Sequence, residues 1–188
     1  MLQDSKEENI HEGQDLITLN IKSEIRNDYK DIKALKDNSQ IVVKGIIVKS
    51  HSYMKGPGLV TEYTLKTSKI YKGNITPGDA VIILSSGGTV PFLEYSKFNG
   101  AEKDILEKKY SKERLEKSNI QLIFNGRPLP QKGEEYIFFA SQTDDFSKNE
   151  IYRAINALSG HLHIKNGKAH NFAIGYEESI EKVENILD

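Results

Sequence analysis

The sequence predicts a mainly β fold, with five strands forming a small antiparallel barrel in one domain. Three observations lead to this prediction. Several short runs are rich in β-branched residues or alternate apolar and polar positions, as strands do. Glycine, proline and asparagine turns separate these runs. The length of 188 residues suits one domain with tails.

The first fourteen residues predict a disordered tether rather than part of the domain. From Met1 to Gln14 the chain is polar and acidic, with Ile10 as an isolated branched residue. Such a segment buries too little apolar surface to offset the entropy of ordering. We therefore place the folded domain at residues 15–188. Read literally, the leader indicates a cytoplasmic protein, but it equally suits a tether that follows a removed signal or lipid-anchoring segment.

The first predicted elements are a short helix and a buried strand. Apolar residues at helical spacing predict a helix from Asp28 to Asp37. The β-branched run from Gln40 to Lys49 is too short for a core helix and predicts a strand. Because Gly45 interrupts this run, we expect a bulge or bend there.

Four further segments carry strand patterns. They are Leu59 to Tyr71, Ala80 to Leu84, Glu135 to Ala140 and Ile151 to Leu158. The turn at Asn166-Gly167 predicts a hairpin over 161–172, since these two residues suit the positive dihedral angles of a type I′ turn.

Helices are predicted in the longest interval between strands and at the end of the chain. That interval is too long for a plain loop, and 101–117 has the pattern of an inserted amphipathic helix. Apolar residues at three- and four-residue steps predict a C-terminal helix from Tyr176 to Leu187.

Composition excludes several classes of function. The net charge of −1 and the pI near 6.5 provide no general attraction to nucleic acid, so we expect no nucleic-acid partner. The chain has no cysteine, which excludes disulfides, thiolate zinc sites and cysteine nucleophiles.

A series of turn and strand residues between Ile41 and Phe172 resembles a group of secreted or lipid-anchored bacterial domains of unassigned function. The matching residues are Gly45, Tyr63-Thr64, Lys72-Gly73, Gly78-Asp79, Gly87-Gly88, Gly133-Glu134-Glu135-Tyr136, Gly160 and Gly167-Lys168. This resemblance implies a location in the cell envelope or outside the cell, through a lipid anchor that this chain does not contain.

More distantly, the pattern resembles netrin-like domains, which include the tissue inhibitors of metalloproteinases. The resemblance implies an oligonucleotide/oligosaccharide-binding (OB) type of barrel. Those inhibitors depend on an N-terminal cysteine and on disulfides, so their inhibitory activity does not carry over to this cysteine-free chain.

The hairpin carries the sequence's candidate metal ligands. Its two-residue turn pairs His163 with His170 and His161 with Phe172, which places three histidines on one face. Three imidazoles can bind zinc, as some catalytic sites do. The simpler interpretation puts Leu162, Ile164 and Ala169 in the core and leaves the histidines in water, with no acidic residue placed to orient the rings.

Tyrosines provide the second candidate site, because each offers a flat apolar ring and one polar group. Tyr63 and Tyr71 lie on the alternating strand and are candidates to line a groove for a protein, peptide or glycan. Half-buried strand packing explains them equally well. We therefore expect a non-enzymatic binding module without a cofactor, and we keep a zinc-dependent hydrolase as the alternative.

Overall fold

The computed structural model describes residues 2–3, 15–22, 31–143, 151–155, 160–171 and 175–188. The strands within these residues are β1 Leu2–Gln3, β2 Leu16–Ile21, β3 Ile41–Lys55, β4 Gly58–Lys72, β5 Ala80–Ser86, β6 Gly88–Pro91, β7 Asn119–Phe124, β8 Glu135–Gln142, β9 Ile151–Ala154, β10 His161–Lys165, β11 Lys168–Asn171 and β12 Tyr176–Ser179. The helices are α1 Ile32–Asn38, α2 Phe92–Tyr95, α3 Gly100–Lys109, α4 Lys112–Lys117 and α5 Ile180–Leu187. The fold is mainly β, as predicted.

One compact unit lies within Met1–Ser23, Ser52–Thr61 and Ser86–Leu129. Its sheet has the order β1-β2-β7-β6, with β2 parallel to β7 and β6 antiparallel to β7. Strand and helix residues share its core, which comprises Ile17, Leu19, Leu59, Val90, Phe92, Tyr95, Leu106, Leu115 and Ile120. The sequence patterns had indicated no strand at β2, β6 or β7.

The other compact unit lies within Glu24–His51, Glu62–Ser85 and Pro130–Asp188. The sheet that passes through it has the order β12-β11-β10-β8-β3-β4-β5-β9, and β8 also pairs with β9. Residues on one face of this sheet form a core around Tyr63 and Phe138. Residues on the other face pack against α1 and α5, which contribute Leu35, Val183 and Leu187 to a second core.

The predicted all-antiparallel strand arrangement is wrong, because the large sheet is mixed. Ile82 to Leu84 pair with Ile151 to Arg153 in the parallel sense, whereas the β8–β9 pairing is antiparallel. β3 also differs from the prediction, since its register with β8 continues without interruption through the pairing of Gly45 with Tyr136. The predicted bulge at Gly45 is therefore absent on the β8 side.

The predicted inserted helix is two helices, α3 and α4. Tyr110 is extended, and the Ser111 side chain accepts a hydrogen bond from the Arg114 backbone N–H, so that a new helix begins at Lys112. The C-terminal helix begins at Ile180 rather than Tyr176, because Tyr176–Ser179 pairs with β11 as a strand.

The predicted boundaries at the N-terminal end have mixed outcomes. α1 is confirmed from Ile32, with Asp31 as its N-cap, while residues 28–30 lie outside the described residues. Leu2–Gln3 of the predicted tether pairs with Asn20 and Ile21 of β2. Residues 4–14 lie outside the described residues, so the tether and the domain boundary at residue 15 stay predictions.

Candidate functional site

Four titratable side chains form a continuous row across four adjacent strands. Tyr136 of β8 pairs with His163 of β10, which also pairs with His170 of β11. His170 pairs in turn with Glu177 of β12. Since directly paired residues project from the same face of a sheet, these side chains are neighbours on one surface. We call this set, Tyr136, His163, His170 and Glu177, the histidine row.

The histidine row begins in the core and ends at the surface. Tyr136 is buried, and the His163 ring stacks on it with centroids 4.8 Å apart and planes inclined by 17°. The exposed fraction of the side chain rises from 16% at His163 to 23% at His170 and 50% at Glu177. The two imidazoles are therefore neither fully buried nor simply solvated.

Two glutamates contact the imidazoles. Glu134 Oε1 lies 3.6 Å from His163 Nε2, and its other carboxylate oxygen accepts a 2.5 Å hydrogen bond from the Tyr136 hydroxyl. Glu177 Oε2 lies 3.1 Å from His170 Nδ1, and Lys168 contacts the other oxygen of Glu177.

The surroundings shift two of these groups toward their neutral forms. Burial lowers the pKa of His163, Glu134 opposes that change, and electrostatic interactions with Lys165 and His170 reinforce it. Burial, followed by the hydrogen bond to Glu134, raises the pKa of Tyr136 far above its ordinary value. At neutral pH the stacked rings of His163 and Tyr136 are therefore a neutral pair.

The predicted register of the hairpin is confirmed where it is described. His163 faces His170, Ile164 faces Ala169 and Lys165 faces Lys168. Asn166 and Gly167 both have positive φ, as a type I′ turn requires. Phe172, the predicted partner of His161, lies outside the described residues.

The predicted solvation of the three histidines is wrong. The side chain of His161 is buried, with ring centroids 5.3 Å from Phe138 and 5.5 Å from Tyr136. Leu162 and Ala169 are in the core on the other face, as predicted. Within the described ranges, no three histidine, aspartate or glutamate side chains form a group that could hold a metal ion.

Sequence reasoning also missed the carboxylates beside the rings. Glu134 directly precedes the predicted strand that begins at Glu135, and Glu177 falls within the predicted C-terminal helix. Glu177 sits opposite His170 only because the chain returns as β12. Tyr176-Glu177-Glu178-Ser179 does not alternate apolar and polar residues, so no local signal distinguishes this strand from the helix that follows.

The structure places the two candidate binding tyrosines in different surroundings. Tyr63 is 2% exposed and packs against Phe138 in the core. The Tyr71 hydroxyl donates a 2.8 Å hydrogen bond to Glu184 Oε1 of α5. Tyr63 is therefore a core residue, whereas a binding role for Tyr71 stays a prediction.

The outer face of β3 presents a different candidate surface. Ile46 and Val48 are 46% and 41% exposed, while Ile47 between them is completely buried. Ile46 pairs with Glu135 of β8, and Lys44, two residues earlier on the same face, lies 3.9 Å from Glu135. We call Lys44, Ile46, Val48 and Glu135 the β3 face.

Comparison of the sequence with protein-family models and with curated proteins gave no match. Among the described residues, the helices are too short or too polar to cross a bilayer.

Proposed function

We propose that this protein is a non-enzymatic binding module that engages a protein or peptide through the β3 face. The observation that carries this proposal is the exposure of Ile46 and Val48 on one side of a strand whose other side is core. Large apolar side chains exposed together are a recurrent feature of binding surfaces. A protein or peptide supplies the matching apolar side chains.

The charges beside the apolar pair support the same class of partner. Lys44 contacts both Glu135 and Glu184, so charged groups border Ile46 on its strand and on the neighbouring strand. An apolar centre with a polar rim is the usual anatomy of a protein interface. A glycan would favour exposed aromatic rings, whereas Tyr63 is buried and Tyr71 is half-buried.

We propose further that the strands β3, β4, β5, β9 and β8 form an OB-type barrel. In the sheet order β8-β3-β4-β5-β9 each strand is a neighbour of the next, and the additional β8–β9 pairing links the last of them to the first. The parallel β5–β9 pairing distinguishes this arrangement from an all-antiparallel barrel. Barrels of this type bind ligands on strand faces and adjoining loops, which is consistent with a site on β3.

The resemblance to secreted and lipid-anchored bacterial domains leads us to propose a cell-envelope location. Fractionation of cells that express the native gene, with detection by an antibody to this chain, tests it. Recovery in the membrane or secreted fraction supports the proposal, and recovery in the cytoplasm alone contradicts it.

The binding function can be tested with a displayed library of random twelve-residue peptides. We expect wild-type protein to enrich specific peptides, and the double variant Ile46→Ser, Val48→Ser to lose at least tenfold in affinity for them. Leu93→Ser is the matched control, because Leu93 is 53% exposed on α2. Failure to enrich any peptide, or equal binding by the β3 variant and wild type, would contradict the proposal.

A zinc-dependent hydrolase remains the alternative, on the observation that His163 and His170 face each other with a glutamate beside each ring. Metal binding requires neutral imidazoles, so zinc affinity would weaken as pH falls through about 6.5. Calorimetric titration with zinc at pH 7.5 separates the two functions. A one-to-one nanomolar affinity that His163→Ala abolishes would favour the hydrolase.

A further inference from the structure

We propose that the partner of the β3 face is an amphipathic helix, which lies along β3 with its apolar stripe on Ile46 and Val48. This proposal rests on the proposed binding function and specifies the class of partner. Three features support a helix: the helices that already cover the same face of the sheet, the position of β3 inside the sheet, and the charges on either side of the apolar pair.

The β3 face continues a sheet surface that helices cover. Alternate residues of a strand project from the same face, so Val42, Lys44, Ile46 and Val48 form one line. Val42 is completely buried and belongs to the core that α1 and α5 share with the sheet. Lys44 Nζ lies 3.2 Å from Glu184 Oε1 of α5. The helical cover therefore ends near Lys44, and Ile46 and Val48 are the uncovered end of the line.

The position of β3 inside the sheet favours a helix over an extended peptide. β3 lies between β8 and β4, so it has no free edge with which an extended chain could pair. An extended chain on the face of the sheet would leave its own backbone groups unpaired, whereas a helix satisfies them internally.

The spacing of the two exposed side chains also suits a helix. Ile46 and Val48 are separated by about 6.7 Å along the strand, which is comparable with the helical pitch of about 5.4 Å. The α5 helix already packs on this face in the same way, since Val183 and Leu187, four residues apart, are both completely buried there. A partner helix with apolar residues at the same steps would extend this layer over the β3 face.

Charges of opposite sign border the apolar pair. On one side, Glu135 of β8 pairs with Ile46, and among the described residues its only ion pair is with Lys44 Nζ at 3.9 Å. On the other side, Lys66 of β4 is exposed, and it projects from the same face because its neighbour Leu65 belongs to the core of the opposite face. A matching helix therefore carries a basic residue on one flank of its apolar stripe and an acidic residue on the other.

Selection from a displayed library of sixteen-residue peptides, with the full chain as target, tests the inference. We expect enriched peptides to carry apolar residues at three- and four-residue steps and to gain helical circular dichroism on binding. A proline at the centre of the best peptide should weaken binding at least about tenfold, since proline interrupts a helix. A proline at the first helical position is the control and should leave the affinity unchanged.

Variants of the protein show where the selected peptide binds. Ile46→Ser with Val48→Ser should weaken its binding at least about tenfold. Lys66→Glu should also weaken binding, and replacing the acidic flank residue of the peptide by lysine should restore it. Lys165→Glu is the matched control, because Lys165 is exposed on the other face of the sheet, and it should bind as wild type does.

The outcomes separate this inference from the proposed function. Peptides that bind the β3 face with alternating apolar residues, or that tolerate the central proline, would overturn the helix and leave the binding function intact. A library that yields no binder, or binders that the double serine variant retains, would overturn both. Concentration-dependent dimerisation in sedimentation velocity, abolished by the double serine variant, would make a second copy of this chain the occupant and overturn the helix.

Discussion

Glu184 joins three side chains of the large sheet to the C-terminal helix. Its Oε1 accepts hydrogen bonds from the Tyr71 hydroxyl at 2.8 Å and the Lys44 ammonium at 3.2 Å, while Oε2 lies 3.6 Å from Lys69 Nζ. Burial, and then the hydrogen bond to Glu184, raise the pKa of Tyr71, so its hydroxyl remains a donor throughout the neutral range. This charged cluster supplements the apolar contacts that Val183 and Leu187 make beneath the helix.

Replacing Tyr71 by phenylalanine removes one donor from this cluster. We expect Tyr71→Phe to lower the free energy of unfolding by about 1 kcal/mol, since the carboxylate keeps its two lysines. Urea denaturation at pH 7 measures the change. Tyr110→Phe is the control, because Tyr110 contacts Arg114 and Lys109 through its ring, and it should change stability by less than about 0.5 kcal/mol. Equal effects of the two variants would contradict the role of the Tyr71 hydroxyl.

The β3 strand depends on a close approach to β4 at one glycine. A Cβ atom at Gly45 would lie 2.3 Å from the carbonyl oxygen of Lys66, which is backbone and cannot turn aside. We expect Gly45→Ala to destabilise the protein by about 1–3 kcal/mol, as overpacking does. Gly58→Ala is the matched control, because the nearest atom to its added Cβ, the Lys55 carbonyl oxygen, is 3.5 Å away. Thermal unfolding of both variants measures the difference. A lower melting temperature in Gly45→Ala alone supports the steric clash, whereas equal losses in both variants would mean that replacing any glycine is enough.

The α5 helix begins at a side-chain cap. The Ser179 hydroxyl accepts a hydrogen bond from the Lys182 backbone N–H. Backbone N–H groups in the first turn of a helix have no carbonyl acceptor within the helix, so the side chain provides one. Ser179→Ala should therefore lower the free energy of unfolding by about 1 kcal/mol. Ser50→Ala, at an exposed position of β3, is the control and should have little effect. Urea denaturation measures both variants. Equal free energies of unfolding for the two would show that the cap does not stabilise the protein.

Local sequence signals predicted those elements whose geometry depends on local residues. The Asn166-Gly167 turn fixes its own hairpin register, and Asp31 caps the helix that follows it. The break between α3 and α4 depends on Ser111, a cap that the uninterrupted charge pattern concealed. The candidate site was predicted only within its hairpin, because Glu134 lies just before β8 and Glu177 lies on β12.

At the scale of the whole molecule, the pairing of strands that lie far apart in the sequence could not be predicted. β2 lies parallel to β7, and the hydrogen bond from Thr18 to Gln121 joins residues 103 positions apart. Neither strand contains a turn or cap that identifies the other, so the pairing follows from packing around residues such as Ile17 and Ile120. The parallel β5–β9 pairing was missed for the same reason.

The shifted pKa values predict that acid destabilises the protein in two stages. The pKa of His163 is lowered in the folded state, so the unfolded chain binds this proton more readily, and stability falls as pH drops below about 6.5. Hydrogen bonds from Tyr71 and Lys44 outweigh burial and lower the pKa of Glu184, and lysines lower those of Asp37 and Glu177. Their stabilisation is complete above the unfolded pKa, which is 4.5 for the glutamates and 3.8 for Asp37, and is lost as pH falls through the folded values.

Urea unfolding midpoints at pH 7.5, 5.5 and 3.5 separate these stages. We expect His163→Phe to remove most of the difference between pH 7.5 and 5.5, since it leaves no titrating group on Tyr136. Glu184→Gln should reduce the difference between pH 5.5 and 3.5, because the neutral amide cannot gain a proton there. Glu113→Gln, at an exposed residue of α4, serves as the control and should leave both differences unchanged. A wild-type midpoint that stays constant down to pH 3.5 would contradict both stages, because each requires the folded state to bind fewer protons than the unfolded chain.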